Sequence, residues 1–371
     1  MENSNAKKNN KRSKRPLILL GASFIFFILF MSLLSMDSSS QEAIDELKSC
    51  YNVAEVKEVW QKNKKELHED DEFVNALKKR LISFNLNDKE LEDCISWLPP
   101  APINTNVIVV PDLSNRIIDL VNNPDQIKTD KILIRYVWEI FRKATQFNKG
   151  TNDRMIIDVT DREQAGGAFL TIADSLIFDL SKNKKAQINK FYFDKKESIF
   201  QSSLDKMYSL AQKKPVGANY LTYFNNSLPE RIQKPDLFNN YRNVLIILTD
   251  GYLEAETKEE TGRAFYTGSY EERKNYCLNR KNKIEAINDC RRHFPNLEVL
   301  VLEVNKRKKG SKQEKKDQGT SCDENILQEQ WQNWFKLLEI KNATDDNFKL
   351  HDNTIEITKG NIKKFLYPES K

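Results

Sequence analysis

Two short segments carry the residue types that could do chemistry. Pro111-Asp112-Leu113-Ser114-Asn115-Arg116 follows the apolar run Asn106–Val110, and Thr249-Asp250-Gly251 follows Val244–Leu248. A carboxylate, a hydroxyl and a second carboxylate are hard oxygen donors. That set suits Mg²⁺, with water completing the shell. If both runs are parallel strands, Asp112, Ser114 and Asp250 meet at one sheet edge. Taken singly, each has an ordinary structural role. Asp112 can cap a following helix, Ser114 is a common turn residue, and Asp250-Gly251 is a tight-turn pair. Two further carboxylates, Asp158 and Asp161, stand in IIDVTDRE at the end of another apolar run. Gathered with Asp112 and Asp250, they would form a metal-dependent phosphohydrolase or nuclease site. Against that alternative, the chain shows no phosphate-cradling glycine loop and no nucleophile with a nearby base. It has three histidines, and Gly166-Gly167 stands alone. The chain is therefore read as non-enzymatic.

The elements that must position these residues follow from the hydrophobic pattern. Residues 42–98 read as a helical spacer region, rich in Glu, Lys and Leu and free of Gly and Pro. Val53, Val56, Val59 and Trp60 step at helical spacing, as do Phe73, Leu77, Leu81 and Phe84 in a second helix at Glu72–Ser83. Asn87 opens a third at Asp88–Trp97. Pro99-Pro100-Ala101-Pro102 stops any helix and marks a linker. Beyond it the pattern changes to short β-branched runs, as expected for strands buried on both faces. Strands are expected at Asn106–Val110, Arg154–Val159, Val244–Leu248 and Leu297–Val304, with Phe191–Phe193 in an edge strand. Helices are expected at about Asp125–Phe147 (with Asn123-Pro124 at its start), Glu197–Gln212, Arg280–Phe294 and Glu324–Ile340. This alternation implies an α/β, doubly wound, mostly parallel sheet with helices on both faces. The charged stretch 305–323 reads as a solvated loop. The insertion 251–276 follows a strand end, where α/β folds carry functional loops.

VIVVPDLSNR and NVLIILTDGY, in that order within an α/β pattern, resemble a von Willebrand factor A (VWA) domain over about residues 104–350. The resemblance implies a Rossmann-like fold and a metal-ion-dependent adhesion site. In that family the site uses a D-x-S-x-S loop, a middle-loop Thr and an Asp after the fourth strand, and it binds proteins through Mg²⁺. Asp112 and Ser114 match the first two loop ligands and Asp250 the last. The third loop position is Arg116, a permanent cation with five donors and no acceptor. It cannot ligate a metal. The expectation is that it bridges Asp112 and Asp250 and replaces the metal's charge. In the middle loop Ala218 or Asn219 stands at the ligand position, with Thr222 three residues on. The resemblance thus implies a degenerate site that binds no metal tightly, with Mg²⁺ the favoured ion if one binds.

The chain of 371 residues has a net charge of +5, and its placement is informative. Lys7, Lys8, Lys11, Arg12, Lys14 and Arg15 stand against Glu2 in the first fifteen residues. They account for the whole excess, so the remainder is neutral. A neutral body lacks the basic field that nucleic acid requires. The basic tail 1–16 is followed by Leu17–Met36, a run without a charge. At about 1.5 Å per residue, such a helix crosses a hydrocarbon core of roughly 30 Å. The tail is expected to stay cytoplasmic and the rest to lie outside the cytoplasm, which would be the periplasm if the cell is Gram-negative. The length of the run and the poor cleavage site SLLSMDSSS favour a retained signal anchor over a cleaved signal peptide. Five cysteines, Cys50, Cys94, Cys277, Cys290 and Cys322, are compatible with disulfides in that compartment. Cys50 and Cys94 either tie the ends of the helical region or remain free thiols. The expected partners are the bilayer, through residues 17–36, and another envelope protein. The leading expectation is an adhesion or assembly module. The alternative is a structural subunit with a vestigial metal site. Residues 351–371 read as a C-terminal strand and helix tail.

Overall fold

The computed structural model describes residues 39–119, 124–147, 152–160, 166–182, 190–213, 215, 218–255, 264–265, 267–279, 287, 291–308, 318–352 and 354–368. The expected membrane anchor at residues 17–36 lies outside the described residues. Among those described, no helix is long and apolar enough to cross a membrane. The chain divides into two compact units. One comprises the helical region up to Ala101 with Asp236–Phe238, and the other holds the rest.

The first unit contains α1 (residues 39–49), α2 (Val53–Leu67), α3 (Asp71–Ile82) and α4 (Asp88–Trp97). The starts of α2, α3 and α4 each have a local chemical reason. The side chains of Asn52 and Asp70 accept from the amides of Glu55 and Phe73, and Asn87 forms a capping box with Glu90. The apolar stripes Val56–Val59–Trp60 and Phe73–Leu77–Leu81 share one core with Leu47 and Leu237. Cys50 and Cys94 are both buried and form no disulfide, so of the two readings the free thiols stand.

The second unit is built on a sheet. Its strands are β1 (Ile103–Pro111), β2 (Arg154–Ile157), β3 (Ile177–Asp179), β4 (Asn240–Leu248), β7 (Leu297–Val304) and β8 (Phe348–Leu350). A separate two-stranded hairpin pairs β5 (Glu254–Ala255) with β6 (Ala264–Phe265). The six strands run in the order β3-β2-β1-β4-β7-β8, and only β3 is antiparallel to its neighbour. Order reverses at β1, which makes the sheet doubly wound.

Successive residues of β1 enter opposite cores. Val107 and Val109 face one cluster, and Ile108 and Val110 face the other. This is the two-residue period of a strand buried on both sides. The first cluster is covered by α5 (Gln126–Phe147), α6 (Gly166–Ala173), α7 (Lys190–Lys213) and α11 (Ile355–Leu366). The second is covered by α8 (Tyr220–Thr222), the π and 3₁₀ turns that continue it to Glu230, and α10 (Asp323–Leu337). The remaining helix is α9 (Tyr270–Asn279).

Three expectations change. Phe191–Phe193 lies in α7 and not in a strand. Phe193 begins the buried stripe that continues through Phe200, Leu204, Met207 and Tyr208, so the helical period extends back to it. The helix expected at Arg280–Phe294 has no described counterpart. Residues 280–286 and 288–290 lie outside the described set, and 291–294 are not helical. Finally, residues 354–368 pack into the domain. Ile362 and Leu366 of α11 are buried in its core, and Arg242 donates to the carbonyls of Leu366 at 2.6 Å and Phe365 at 2.7 Å.

Candidate functional site

Strand register brings the two motifs together. Pro111 pairs with Leu248, so Asp112 and Thr249 emerge side by side from β1 and β4. The Asp112 amide donates to Leu248 O at 2.8 Å and the Thr249 amide to Leu302 O at 3.1 Å, extending the ladder by one residue at each strand end. Thr249 Oγ1 then donates to Asp112 Oδ2 at 2.9 Å, which links the two strand ends through side chains. Both carboxylates are buried, Asp112 at 1% and Asp250 at 5% exposure.

Each carboxylate also serves its own turn. Asp112 Oδ1 accepts from the Ser114 amide at 3.0 Å, and Asp250 Oδ1 accepts from the Tyr252 amide at 3.2 Å. These are Asx turns, in which a short acidic side chain replaces a backbone acceptor. The Ser114 hydroxyl accepts from the Arg116 amide at 3.3 Å and caps the 3₁₀ turn Asn115–Ile117. Gly251 follows at φ +94°, a region that penalises any side chain. Its carbonyl accepts from Trp331 Nε1 at 2.7 Å, which fixes the turn onto α10.

Arg116 is placed differently from expectation. Its guanidinium is buried and forms a fork with Asp130 of α5, Nη1 to Oδ2 at 3.0 Å and Nη2 to Oδ1 at 3.1 Å. Nη1 also donates to the backbone carbonyl of Asp112 at 3.2 Å. It therefore does not bridge the carboxylates of Asp112 and Asp250. The fork geometry explains the choice, since one carboxylate accepts both Arg116 N–H groups in plane. Gln126 Nε2 at 2.7 Å and the Tyr208 hydroxyl at 3.1 Å complete the Asp130 shell. Asp130 and its neighbours hold Arg116 firmly in the charged form. Burial lifts the Asp130 carboxyl above the usual range, while Arg116 pulls it down.

The cation on Asp250 comes from Arg307, just after β7. Its Nε and Nη2 each donate to Asp250 Oδ2 at 3.3 Å, and its guanidinium lies 4.1 Å from the centre of the Tyr252 ring. Residues 305–308 thus close onto the edge, where a solvated loop was expected. Asp130 and Arg307 lie in no motif and reach the site from remote segments. The only signal for Arg307 was that a charged stretch follows a strand end.

The middle-loop candidates do not join Asp112 or Asp250. Asn219 caps α8 by accepting from the Thr222 amide at 3.0 Å, and Thr222 is exposed. Tyr220 from the same loop is fully buried. Its hydroxyl pKa is pushed well up by burial and by the nearby Asp112. Asp158 is taken by Arg231 Nε at 2.8 Å and the Tyr223 hydroxyl at 3.4 Å, and Asp161 lies outside the described residues. The four-carboxylate cluster of a phosphohydrolase is therefore not assembled among the described residues.

The donor set can be tested against Mg²⁺. Asp112, Ser114, Thr249 and Asp250 offer oxygen donors of the right type. Each carboxylate has one oxygen in its own turn, and the other oxygen of Asp250 faces Arg307. A divalent ion would have to displace that guanidinium. Among the described residues no group of three or more His, Cys, Asp or Glu could hold a metal ion.

Beside this edge lies Glu303, buried and in the left-handed region at φ +67°, where the β7–β8 register shifts. Its carboxylate meets His351 Nδ1 at 2.6 Å and accepts from Thr358 Oγ1 at 3.3 Å. That bond raises the His351 pKa above its ordinary value. No family model, curated protein or solved structure matches the chain.

Proposed function

We propose that this chain is a membrane-anchored, extracytoplasmic protein-binding module of VWA type. In this reading the β1/β4 edge is the binding face, and the Arg307 guanidinium stands where the family holds a divalent ion. The observation that carries it is the pairing of Arg307 with Asp250 beside the Thr249–Asp112 hydrogen bond. Strand order, the sheet edge and the position of Asp112 relative to Thr249 support the VWA reading. The residues around them support binding over catalysis. Asp112 is satisfied by its turn and Thr249, Asp250 by its turn and Arg307, and neither is aimed at a nucleophile. The exposed rim is supplied by Asn115 and Ile118, with Ser114 partly exposed between the rim and the core. The anchor at 17–36 would hold this face beyond the bilayer, and the disulfide Cys277–Cys322 fits an oxidising compartment.

The test is co-purification of cross-linked partners with the full chain in detergent, compared with Asp250→Ala and Arg307→Glu. Partner recovery falls in both variants and is unaffected by a chelator in the wild type. Recovery unchanged in both variants would remove the edge as the binding face. Loss of partners on chelation would restore a divalent ion to the site.

A further inference from the structure

The segment that supplies Arg307 is tied down one step away from the sheet edge. Cys277 of α9 and Cys322, the residue before α10, form a disulfide across 45 residues of sequence. Both are partly exposed, which leaves the bond open to a reductant. Cys277 Sγ lies 3.4 Å from Ser321 Oγ. The next residue, Asp323, is fully buried and gathers donors from three segments. They are the Tyr252 hydroxyl at 2.5 Å, the Thr320 amide at 3.0 Å together with the Thr320 hydroxyl, and Arg273 Nε at 3.3 Å. Arg273 belongs to α9 and also donates to the carbonyls of Gly268 at 2.5 Å and Gln318 at 2.8 Å. The Tyr252 ring has the Arg273 guanidinium at 5.1 Å and that of Arg307 at 4.1 Å. Its hydroxyl accepts from the Arg307 amide at 3.2 Å. A continuous path therefore runs from the disulfide through Asp323 and Tyr252 to Arg307 and Asp250.

What holds α9 in place is unusual for a helix of this unit. Arg273 is its one buried residue, and Leu278 is 71% exposed. A helix with no apolar face against a core has little tertiary packing to stabilise it. The ion pair at Arg273 and the covalent bond at Cys277, with the exposed Tyr276–Glu329 hydrogen bond at 3.2 Å, hold it instead.

We propose that Cys277–Cys322 is a thiol–disulfide exchange site whose state sets the Arg307 clamp on Asp250. Its functional meaning rests on the binding-face reading above. Cys322 stands at the N-terminus of the 15-residue helix α10, where a thiolate is stabilised, so it is the better leaving group. A thiolate of a dithiol reductant attacks Cys277 Sγ and forms a mixed disulfide there. The S–S bond breaks, and Cys322 departs as thiolate. The second thiolate of the reductant attacks its own mixed-disulfide sulfur and releases Cys277. The dithiol leaves as a disulfide, two electrons pass to the protein, and the two protons of the dithiol end on the cysteine thiols. α9 then keeps the Arg273 network and the bond from the Tyr276 hydroxyl to Glu329 of α10 at 3.2 Å, and Asp323, Tyr252 and Arg307 lose the covalent brace.

Hydrogen exchange on the full chain in detergent tests this, with and without a dithiol, and in Cys277→Ser/Cys322→Ser. Mass spectrometry of alkylated peptides reports which cysteines were reduced. Segments 267–279 and 318–323 are expected to exchange about tenfold faster or more on reduction, and 250–253 and 305–308 to follow. β1 and β4 remain protected, and reoxidation restores the original rates. Faster exchange confined to α9 would overturn the link to Arg307. Resistance of the bond to the dithiol under native conditions would overturn the exchange site, and loss of protection in β1 and β4 would make the bond a staple of the whole unit. None of these readouts requires a partner, so they stand or fall separately from the binding experiment.

Discussion

Replacing Arg116 by Met should destabilise the sheet unit far more than the loss of one exposed charge would. The substitution removes both N–H bonds of the fork and the donor to Asp112 O, and leaves Asp130 buried with only Gln126 and Tyr208. Both side chains of the pair are at most 1% exposed, so solvent cannot replace what is lost. Breaking a buried pair from one side costs about 3–5 kcal/mol. With a urea m-value of about 2–3 kcal/mol/M, the unfolding midpoint falls by about 1–2.5 M. The companion Asp130→Leu should cost at least as much, because it strands a guanidinium that is held charged. In the double variant no buried charge remains at this position, and most of the stability returns. What stays lost is the donor to Asp112 O and the acceptor for Gln126 and Tyr208. Arg116 Nε is already buried without a partner, so deleting the guanidinium also relieves one cost. The assay is urea unfolding of all four chains, followed by circular dichroism and by Trp138 and Trp331 fluorescence. The reasoning fails if Arg116→Met costs less than about 1 kcal/mol, or if the two single effects simply add in the double variant.

Two further outcomes follow from the same edge. The His351 pKa is raised in the folded chain, first by its bond to Glu303, with Asp352 adding to the shift and Arg116 opposing it. A raised histidine contributes stability that is complete below its unfolded pKa, about 6.5, and is lost as pH rises through the folded value. Thermal stability should therefore fall across that window in the wild type and change less in His351→Gln; equal slopes would refute the assignment. At Gly251, a Cβ would meet Val304 Cγ1 at 2.8 Å on a backbone at φ +94°. Gly251→Ala should cost about 1–3 kcal/mol and disturb the Trp331 environment, and a neutral result would mean that the turn relaxes freely.

Much of the architecture was readable because it rests on local periodicity. The runs Val107–Val110 and Val244–Leu248 are apolar at every position, and only a strand covered on both faces requires that. The cap at Asn87 was readable because a short polar side chain precedes an acidic first turn, and the structure adds Asn52 and Asp70 under the same rule. Phe191–Phe193 was misread because two aromatics flanking a tyrosine satisfy a β pattern. The reading lacked the longer stripe that makes Phe193 the start of α7.

Local pattern alone was enough to show which residues could meet. Asp112 and Thr249-Asp250 each follow a strand core, and a parallel sheet brings such positions to one edge. It also determined that Arg116 could not be a metal ligand. Only the tertiary structure decided how the charges are matched. Asp130 reaches Arg116 from a helix, Arg307 reaches Asp250 from beyond β7, and Cys277 and Cys322 pair while Cys50 and Cys94 do not. The physical reason is that a buried charge takes whichever opposite group has the right fork geometry within a few ångströms. That choice depends on distances between segments remote in the chain, and no local pattern of residues encodes those distances.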